Sequence, residues 1–257
     1  QDEEWQQLNN HLKVFSRPER LLVTNRGAKN FGYSYCTACG VIEPAIKSES
    51  VLDGDHEKPY PTHDSSHCTG AQISRGMVIG TDFLTDVALL SISTNDPVSL
   101  RPGMAATNSI LRTVAEALST SLAELMGVDP DEIQAEFRPA LTEEGKRGSS
   151  AEIYMYDTLA GGAGYSSRFL EIGMDTLQKA LDLLRNCPEN CDASCYRCMR
   201  SYRNKFEHGL LNRHLGGDLV EYLLTGEIPP LRSERIAVSE KILLEDLNMK
   251  FHRFLLF

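Results

Sequence analysis

The segment Tyr156-Asp-Thr-Leu-Ala-Gly-Gly-Ala-Gly-Tyr165 carries most of the fold prediction. It contains three glycines that permit a tight backbone reversal, namely Gly161, Gly162 and Gly164. A run typical of a strand, 151–157, precedes the segment, and a helical pattern from Ser166 to about Arg185 follows it. The segment is therefore predicted to turn the chain from a strand into a helix.

The same glycine-rich segment has a second interpretation as a phosphate-contact loop. Amide groups exposed at the N-terminus of a helix can bind a phosphate, and Gly161, Gly162 and Gly164 would supply them. The segment is not a Walker A loop, because no Gly-Lys-Ser/Thr follows, and it lacks the GxGxxG spacing. A structural turn is the preferred interpretation, and phosphate contact is the alternative.

The sequence before the glycine-rich segment predicts a helix and a β-hairpin. Apolar residues recur at helical spacing over Ser109–Met126, and Gly127 is the expected stop. Residues 132–141 alternate between apolar and polar, as a strand does, and would form a hairpin with 151–157. These patterns predict an α+β fold with small antiparallel sheets and packed helices. Cysteines grouped within 36–68 and 187–198 add cysteine-rich zinc sites to this fold.

The remaining segments complete the predicted organisation. An amphipathic helix is expected over Asp2–Val14, short strands over 21–24, 31–35, 77–79 and 83–92, and helices over 218–224 and 239–256. The predicted division is a β-rich zinc-knuckle region (1–100), an α+β core with the glycine-rich turn and a four-cysteine cluster (101–225), and a linker with a helix (226–257).

Composition narrows the function classes. The chain has 257 residues and a net charge of -10, which argues against general charge-driven binding to nucleic acid. The apolar runs are too short to span a bilayer, and no secretory signal opens the chain, so a cytoplasmic location is expected. Because the first residue is Gln1, the sequence is expected to come from a longer chain.

Four cysteines within twelve residues give the strongest local signal, at Cys187, Cys191, Cys195 and Cys198. Four thiolates can close the tetrahedral site that zinc takes in structural positions. The residues between them favour turns, and no thioredoxin-like context suggests a redox dithiol. An iron–sulfur cluster, which would use the same ligand set, remains the alternative.

A second metal site is predicted in the first third of the chain. Cys36-Thr-Ala-Cys39-Gly has the form of a zinc knuckle, which supplies two ligands and needs two more. Cys68 is the expected third ligand. His63 is preferred as the fourth over His67, because adjacent His67 and Cys68 side chains usually diverge. The sequence thus predicts one or two Zn²⁺ ions.

The segment from Tyr196 to His214 is a candidate nucleic-acid contact. It holds five cationic residues and one acid, Glu207, with aromatic residues between them. Guanidinium groups beside aromatic faces suit a phosphate backbone and unstacked bases. The alternative is an ordinary solvated helix whose arginines pair with carboxylates of the same chain. The candidate contact residues are Arg197, Arg200, Tyr202, Arg203, Lys205 and Arg213.

Motifs of catalysis are missing from the sequence. It contains no GxxxxGK[ST], HExxH, GxSxG or kinase glycine-rich loop, and we expect no catalytic residue in this chain. Asp53, Asp55 and Glu57 lie close together, so a nuclease remains a minor alternative, although such acids in a polar loop are usually solvated.

These features, in this order, resemble the MZB (MrfA zinc-binding) domain found at the C-terminus of superfamily 2 DNA helicases and in the DrmB subunit of the DISARM phage-defence system. The resemblance spans roughly residues 20–225. It is carried by Leu22–Asn25, Gly32–Gly40, Phe83–Val87, Tyr156–Tyr165, the four-cysteine cluster, Ser201–Asn204, His208 and Asn212–Arg213.

The resemblance implies a zinc-binding accessory module of an ATP-dependent DNA helicase. The motor would lie in the same protein or in a partner subunit, and the module would help to bind or route DNA, single-stranded or at a junction, in repair or anti-phage defence. The rival hypothesis is a protein-interaction scaffold that docks a helicase subunit without contacting DNA.

Overall fold

The computed structural model of the chain describes residues 5–27, 30–45, 52–62, 65–70, 72–139 and 149–233, with Ile236 and Glu240. The chain divides into two compact units. The larger, called here the core unit, contains residues 1–19 and 85–257, and the smaller, called the knuckle unit, contains Arg20–Leu84. The division of the sequence at residues 100 and 225 stays a prediction.

The described residues form ten strands and three α-helices. The strands are β1 (Gln6–Gln7), β2 (Leu12–Asn25), β3 (Tyr33–Cys36), β4 (Ile42–Pro44), β5 (His56–Thr62), β6 (Ser65–Cys68), β7 (Ile73–Met77), β8 (Ile79–Ser93), β9 (Ile133–Pro139) and β10 (Ser150–Asp157). The helices are α1 (Ala105–Met126), α2 (Phe169–Arg185) and α3 (Arg213–Thr225). This composition confirms the predicted α+β class.

The main sheet has the strand order β1-β2-β8-β10-β9. Strand β10 pairs antiparallel with both neighbours, and its Ile153 lies opposite Leu90 of β8 and Phe137 of β9. The predicted pairing of the two strands on either side of residues 140–149 is thereby confirmed. Alternate residues of β10 (Ala151, Ile153 and Met155) are fully buried, as expected for a strand with one face on a core.

Helix α1 is the centre of the core unit. It packs against α2, α3 and β9, and its fully buried leucines and valine recur every three or four residues at Leu111, Val114, Leu118 and Leu122. Each such side chain contributes about 1.5–3 kcal/mol by leaving water. The helix ends as predicted at Gly127, whose φ of 67° is the left-handed conformation that glycine adopts freely.

The N-terminal prediction is wrong. Instead of a helix over Asp2–Val14, the described residues there form β1, a turn and the start of β2. The side-chain oxygen of Asn9 accepts a hydrogen bond from the amide of His11 (2.8 Å), which stabilises the turn. Leu12 and Val14 are both buried, and this alternation is that of a strand.

The knuckle unit has two small sheets and little apolar interior. One sheet has the order β4-β3-β7, and β5 pairs with β6 in the other. The buried side chains among its described residues are Ser34, Cys36, Ala45, Leu52, His56 and Cys68. Only Ala45 and Leu52 among these are aliphatic, so hydrophobic burial contributes little to the stability of this unit.

Candidate metal centres and nucleic-acid surface

The Cys36–Gly40 turn has the geometry of a zinc knuckle. It begins at the end of β3, where the amide of Cys36 donates to the carbonyl of Val41 (2.9 Å). The chain then reverses, and the amide of Gly40 donates to the carbonyl of Cys36 (2.8 Å). Gly40 has a φ of 84°, a conformation that a residue with a Cβ rarely adopts. The turn thereby directs both cysteines to the same side.

Four potential ligands converge at this knuckle: Cys36, Cys39, His56 and Cys68. The Cys36 and Cys68 sulfurs are 3.7 Å apart, and the Cys39 sulfur is 3.3 Å from Nε2 of His56. In a tetrahedral zinc site with sulfur and nitrogen ligands these separations are about 3.5–3.8 Å. The donor set and its spacing therefore fit Zn²⁺. We call these residues the knuckle cluster.

His56 is oriented for metal binding by its other ring nitrogen. Nδ1 lies 3.0 Å from the carbonyl oxygen of Gly54, an arrangement that leaves Nε2 for the metal. His56 on β5 is also the cross-strand partner of Cys68 on β6. The hairpin therefore delivers two ligands together, and the knuckle supplies the other two.

His56 is a potential ligand that the sequence interpretation did not include. The preferred residue, His63, lies outside the described residues. His67, the other candidate, is exposed, with Nδ1 3.9 Å from a carboxylate oxygen of Asp55. The pairing of β5 with β6 places His56 in the cluster. This pairing is hard to predict from sequence, because β5 contains two prolines and does not have a typical strand sequence.

The second centre is the four-cysteine cluster, Cys187, Cys191, Cys195 and Cys198. Its sulfur–sulfur distances include 3.6 Å for Cys187–Cys191, 3.5 Å for Cys187–Cys195 and 3.7 Å for Cys195–Cys198. Four sulfurs bound at about 2.3 Å to one zinc ion stand roughly 3.8 Å apart. The distances are too long for disulfides, whose S–S bond is about 2.05 Å, and they fit a tetrathiolate zinc site.

The thiols of the two clusters are not equivalent before metal binds. Burial raises the pKa of Cys36, but hydrogen bonds from the amides of Cys39 and Ala38 and from the side chains of Cys39 and Cys68 together lower it by more, to about 6. In the same way, burial is outweighed at Cys187 by hydrogen bonds from nearby amides and from the Cys195 and Cys191 side chains, and its pKa falls to about 7. Burial raises the pKa of Cys198 to about 11. One thiolate per cluster is therefore available first, and closing either site on a metal releases protons.

Arg213 holds the four-cysteine cluster in place and is not a surface residue. Its buried guanidinium donates to the carbonyl of Cys191 (2.7 Å), the side-chain oxygen of Asn190 (3.0 Å) and the carbonyl of Leu184 (3.3 Å). These bonds tie the cysteine loop to the end of α2. The prediction that Arg213 contacts DNA therefore does not agree with its position, because its donors are used inside the chain.

The glycine-rich turn is built around a buried carboxylate. Asp157 ends β10 and accepts hydrogen bonds from the amides of Ala163 (2.8 Å), Tyr165 (3.0 Å) and Ser166 (2.8 Å), and from the Ser166 hydroxyl (2.6 Å). A fully buried carboxylate needs such donors to offset the loss of hydration. Asp157 thus organises the start of the following helix.

A second carboxylate, Asp86, occupies the inner side of this turn. It accepts a hydrogen bond from the amide of Gly164 (2.9 Å). A Cβ on Gly162 would overlap the Asp86 carboxylate, which explains the glycine there. The amide of Gly162 donates to the carbonyl of Leu159 (3.0 Å). Since these amides already have acceptors within the chain, the geometry favours the structural interpretation over phosphate contact.

Two arginines of the cationic segment are engaged within the chain. Arg203 donates to the buried Glu116 (3.1 Å) and to the carbonyl of Pro130 (3.2 Å). Arg200 donates through Nε to the hydroxyl of Ser194 (2.9 Å). For Arg203 the alternative that the sequence left open, pairing with the chain's own carboxylates, is what the structure contains.

The other members of the segment lie on the surface. Phe206 is 91% exposed and Tyr202 78% exposed, and the Lys205 ammonium lies between them, 4.0 Å from the Tyr202 ring centroid and 5.0 Å from that of Phe206. Tyr196 and Arg197 are also exposed. We call this group the aromatic surface: Tyr196, Arg197, Tyr202, Lys205 and Phe206.

An ion-pair network underlies this segment. Arg112, buried on α1, lies 3.1 Å from Glu116, 3.1 Å from Glu136 and 3.2 Å from Glu207. Burial raises the pKa of Glu207; Arg112 opposes this rise, and the nearby Glu136 and Glu116 carboxylates add to it. The network connects α1 and β9 to the turn that presents Lys205 and Phe206.

The acidic trio does not form a third metal site. Asp53 pairs with Arg75, and Asp55 is exposed beside His67. Within the part of the chain that the structure describes, only the knuckle cluster and the four-cysteine cluster bring three or more such ligands together. The nuclease alternative therefore gains no support.

Comparison with known protein families identifies part of the core unit. Residues 114–199 match the family model of the MrfA Zn-binding domain, MZB. This part of the chain is therefore similar to the MZB domain. The MZB match runs from α1 through the Asp157 turn to the four-cysteine cluster and ends at Met199. Together with the ligand geometry it establishes zinc as the cofactor. The knuckle cluster lies outside the matched residues, and its assignment rests on geometry.

A curated relative aligns with most of the chain. Druantia protein DruE from Escherichia coli (strain UMEA 4076-1) is 32% identical over 236 residues, which cover 86% of this chain. The chain spans only 12% of the length of that relative.

Two solved structures are similar to the chain. "Crystal Structure of DUF1998 helicase MrfA bound to DNA" has a TM-score of 0.43 at 12% identity and covers 84% of this chain and 26% of that one. The complex of MrfA with DNA and AMPPNP has a TM-score of 0.38 at 10% identity, covering 83% and 23%. Separately, none of the described helices is long and apolar enough to cross a membrane.

Proposed function

We propose that this chain is a zinc-stabilised accessory module of an ATP-dependent DNA helicase, and that it holds single-stranded DNA on the aromatic surface. The observation that carries the proposal is the pair of exposed rings, Tyr202 and Phe206, with the Lys205 ammonium between them. Both zinc ions are structural, because eight protein ligands leave no open coordination position.

Stacking explains why these rings face solvent. An exposed phenylalanine gains nothing for folding, whereas a base stacked on such a ring contributes about 1–3 kcal/mol to binding. Lys205 and Arg197 can neutralise neighbouring phosphates, which matters in a chain with a net charge of -10. The binding would therefore be local to this surface and would depend on salt.

The aromatic surface is held in a defined conformation by the segment behind it. The Asn204 side chain donates to the carbonyl of Met199 (2.8 Å), and the amide of Glu207 donates to the carbonyl of Asn204 (2.8 Å). Met199 directly follows Cys198 of the zinc cluster. The zinc site thus anchors the turn, which reduces the conformational entropy lost when DNA binds.

The proposed partners are DNA and a helicase motor, in the same protein or in a separate subunit. The similarity to the MZB domain and to a Druantia protein supports this context, and the sequence itself contains no phosphate-binding motor motif. We place the protein in the cytoplasm, in anti-phage defence or DNA repair. The aromatic surface suits single-stranded DNA or the unpaired arm of a junction, because unstacked bases can lie on exposed rings.

The test is fluorescence anisotropy with labelled oligo(dT). Phe206→Ala and Tyr202→Ala should each weaken binding by about 1–3 kcal/mol with little change in the salt dependence. Lys205→Ala should instead lower the log–log salt slope by about one unit if it contacts a phosphate. Tyr60→Ala is the matched control, because Tyr60 is an exposed aromatic residue of the knuckle unit.

Charge reversal at Arg203 is a poor test, since it would also break the pair with the buried Glu116. Arg197 and Lys205, which are exposed, are the better positions for Glu substitutions. If folded, zinc-loaded variants at Tyr202, Lys205 and Phe206 all bind DNA as the wild type does, the proposal is wrong.

The scaffold hypothesis would then lead, and one observation favours it. The knuckle unit exposes Leu22 and Leu84, large aliphatic side chains of β2 and β8. Exposed apolar groups of this kind are common in protein interfaces. In that case Leu22→Ser should abolish association with a motor subunit without altering DNA affinity.

A further inference from the structure

A polar cleft opens beside the turn that carries the aromatic surface. It is lined by Arg112 from α1, Gln134 and Glu136 from β9, and Arg203, Asn204 and Glu207. The last three are interspersed in sequence with Tyr202, Lys205 and Phe206 of the aromatic surface. The turn therefore contributes one set of side chains to the exposed rings and the other set to the cleft.

Most of the groups in the cleft that can still form hydrogen bonds are acceptors. Glu116, buried behind the cleft, lies 3.1 Å from both Arg112 and Arg203. Arg203 also donates to the carbonyl of Pro130. The carboxylates nearer the opening are more accessible, with side chains 61% exposed for Glu136 and 39% for Glu207. Each carboxylate has about four lone-pair positions, so both can accept further hydrogen bonds.

One buried donor in the cleft has no acceptor. Arg112 is 5% exposed, and its Nε–H makes no hydrogen bond to any described residue. A Glu207 oxygen lies 3.2 Å from Nε but is not in line with the N–H. A buried polar group without a hydrogen-bond partner is costly, so an acceptor on a ligand would be favoured at Nε once the Glu207 side chain, which is 39% exposed, turns aside to admit it.

We propose that this cleft receives the edge of an unstacked nucleobase in which an exocyclic amino group adjoins a ring nitrogen, as in cytosine and adenine. The amino group would donate to Glu136 or Glu207, and the ring nitrogen would accept from Arg112. Thymine presents a carbonyl oxygen in place of the amino group, and that oxygen would face carboxylates. The inference rests on the proposed function, because it requires DNA on the aromatic surface.

The experiment compares oligo(dC) with oligo(dT) of equal length by fluorescence anisotropy, at mildly alkaline pH, where cytosine N3 is not protonated. The wild type should bind oligo(dC) about fivefold or more tightly, the low end of the discrimination that a well-formed base contact gives. Glu136→Gln with Glu207→Gln should remove this preference while oligo(dT) affinity is retained. Glu124→Gln, on α1 and paired with Lys179, is the matched control.

Substitution of the half-buried Glu207 can disturb folding, so Glu136→Ala alone is the second variant. It removes only the more exposed carboxylate and should reduce the preference for oligo(dC) without affecting folding. Equal affinity of the wild type for both oligonucleotides overturns the inference and leaves the proposed function intact. That result is also what a cleft for a basic side chain of a partner protein would give. The inference is also overturned if the preference for oligo(dC) persists in both the double Gln variant and Glu136→Ala. Failure of both oligonucleotides to bind contradicts the proposed function itself.

Discussion

The core unit and the knuckle unit are stabilised in different ways. The core unit buries a continuous set of apolar side chains from α1, α2, α3 and the sheet, and the four-cysteine cluster lies at its margin. Among the described residues of the knuckle unit, three of the six buried side chains are metal-cluster residues and only Ala45 and Leu52 are aliphatic. Zinc therefore adds to the stability of a core unit that already has an apolar interior. In the knuckle unit, zinc binding is the main source of stability.

The largest effect is expected from removal of the knuckle metal. A strong chelator, or Cys68→Ser, should abolish the structure of β3, β5 and β6, because little hydrophobic burial remains to hold them. Hydrogen exchange should then show loss of protection within 20–84, while α1 stays protected.

His56→Ala and His67→Ala form a matched pair for the same site. His56→Ala should have the effect of the chelator on the knuckle unit, and His67→Ala should leave zinc content unchanged. Equal zinc content in the two variants, measured by elemental analysis, would contradict the assignment of His56.

The next effect in size is expected in the core unit. Leu118→Ala removes a fully buried side chain of α1 and should lower the free energy of unfolding by about 2–5 kcal/mol. Denaturant titration followed by circular dichroism measures the change. The same loss should appear in zinc-loaded protein and in a Cys68→Ser variant. A Leu118→Ala effect that depends on the knuckle metal would break the distinction between the units.

A smaller effect is expected from Arg213→Gln. The guanidinium holds the cysteine loop through Cys191 and Asn190, so its loss should weaken zinc binding at the four-cysteine cluster by about 10–100-fold. Competition with a chromogenic chelator, on a Cys68→Ser background, reports this site alone. Arg213→Lys keeps the positive charge but lacks the planar set of donors. Its zinc affinity should therefore lie between those of the wild type and Arg213→Gln. Unchanged DNA affinity in zinc-loaded Arg213→Gln would confirm that Arg213 acts on the loop.

The smallest effect is expected at the surface of the core unit. Lys179 and Glu124 form an exposed ion pair (3.0 Å), and Lys179→Ala should change the unfolding free energy by about 0–1 kcal/mol. Thermal melts at low and high salt measure it. A larger loss of unfolding free energy that disappears at high salt would show that surface charge contributes more to the stability of this unit than its apolar interior suggests.

Local patterns explain why much of the core unit could be predicted from sequence. The stop of α1 at Gly127, the pairing of β9 with β10, and the turn after Asp157 all depend on residues close together in the chain. The convergence of the four cysteines from Cys187 to Cys198 could be predicted for the same reason, because they lie close together in the sequence. The role of Asp157 in organising the turn was not predicted, since it depends on the folded backbone.

The sequence interpretation and the structure differ where distant residues decide the outcome. His56 joins its cluster through a pairing of β5 with β6 that hydrophobic alternation does not reveal. Arg213 had the sequence context of a surface cation, but carbonyl groups from two other segments enclose it. At the N-terminus, the pairing of β1 with β2 outweighed a helix-like pattern.

The knuckle unit is continuous in sequence, whereas the core unit is divided by it into 1–19 and 85–257. During synthesis, all four ligands of the knuckle cluster are made by Cys68, and Cys198 follows much later. At about 5–20 residues per second, the ribosome needs roughly 6–26 s to make the intervening chain. The knuckle unit can therefore acquire its metal cotranslationally, before the core unit that surrounds it in sequence is complete.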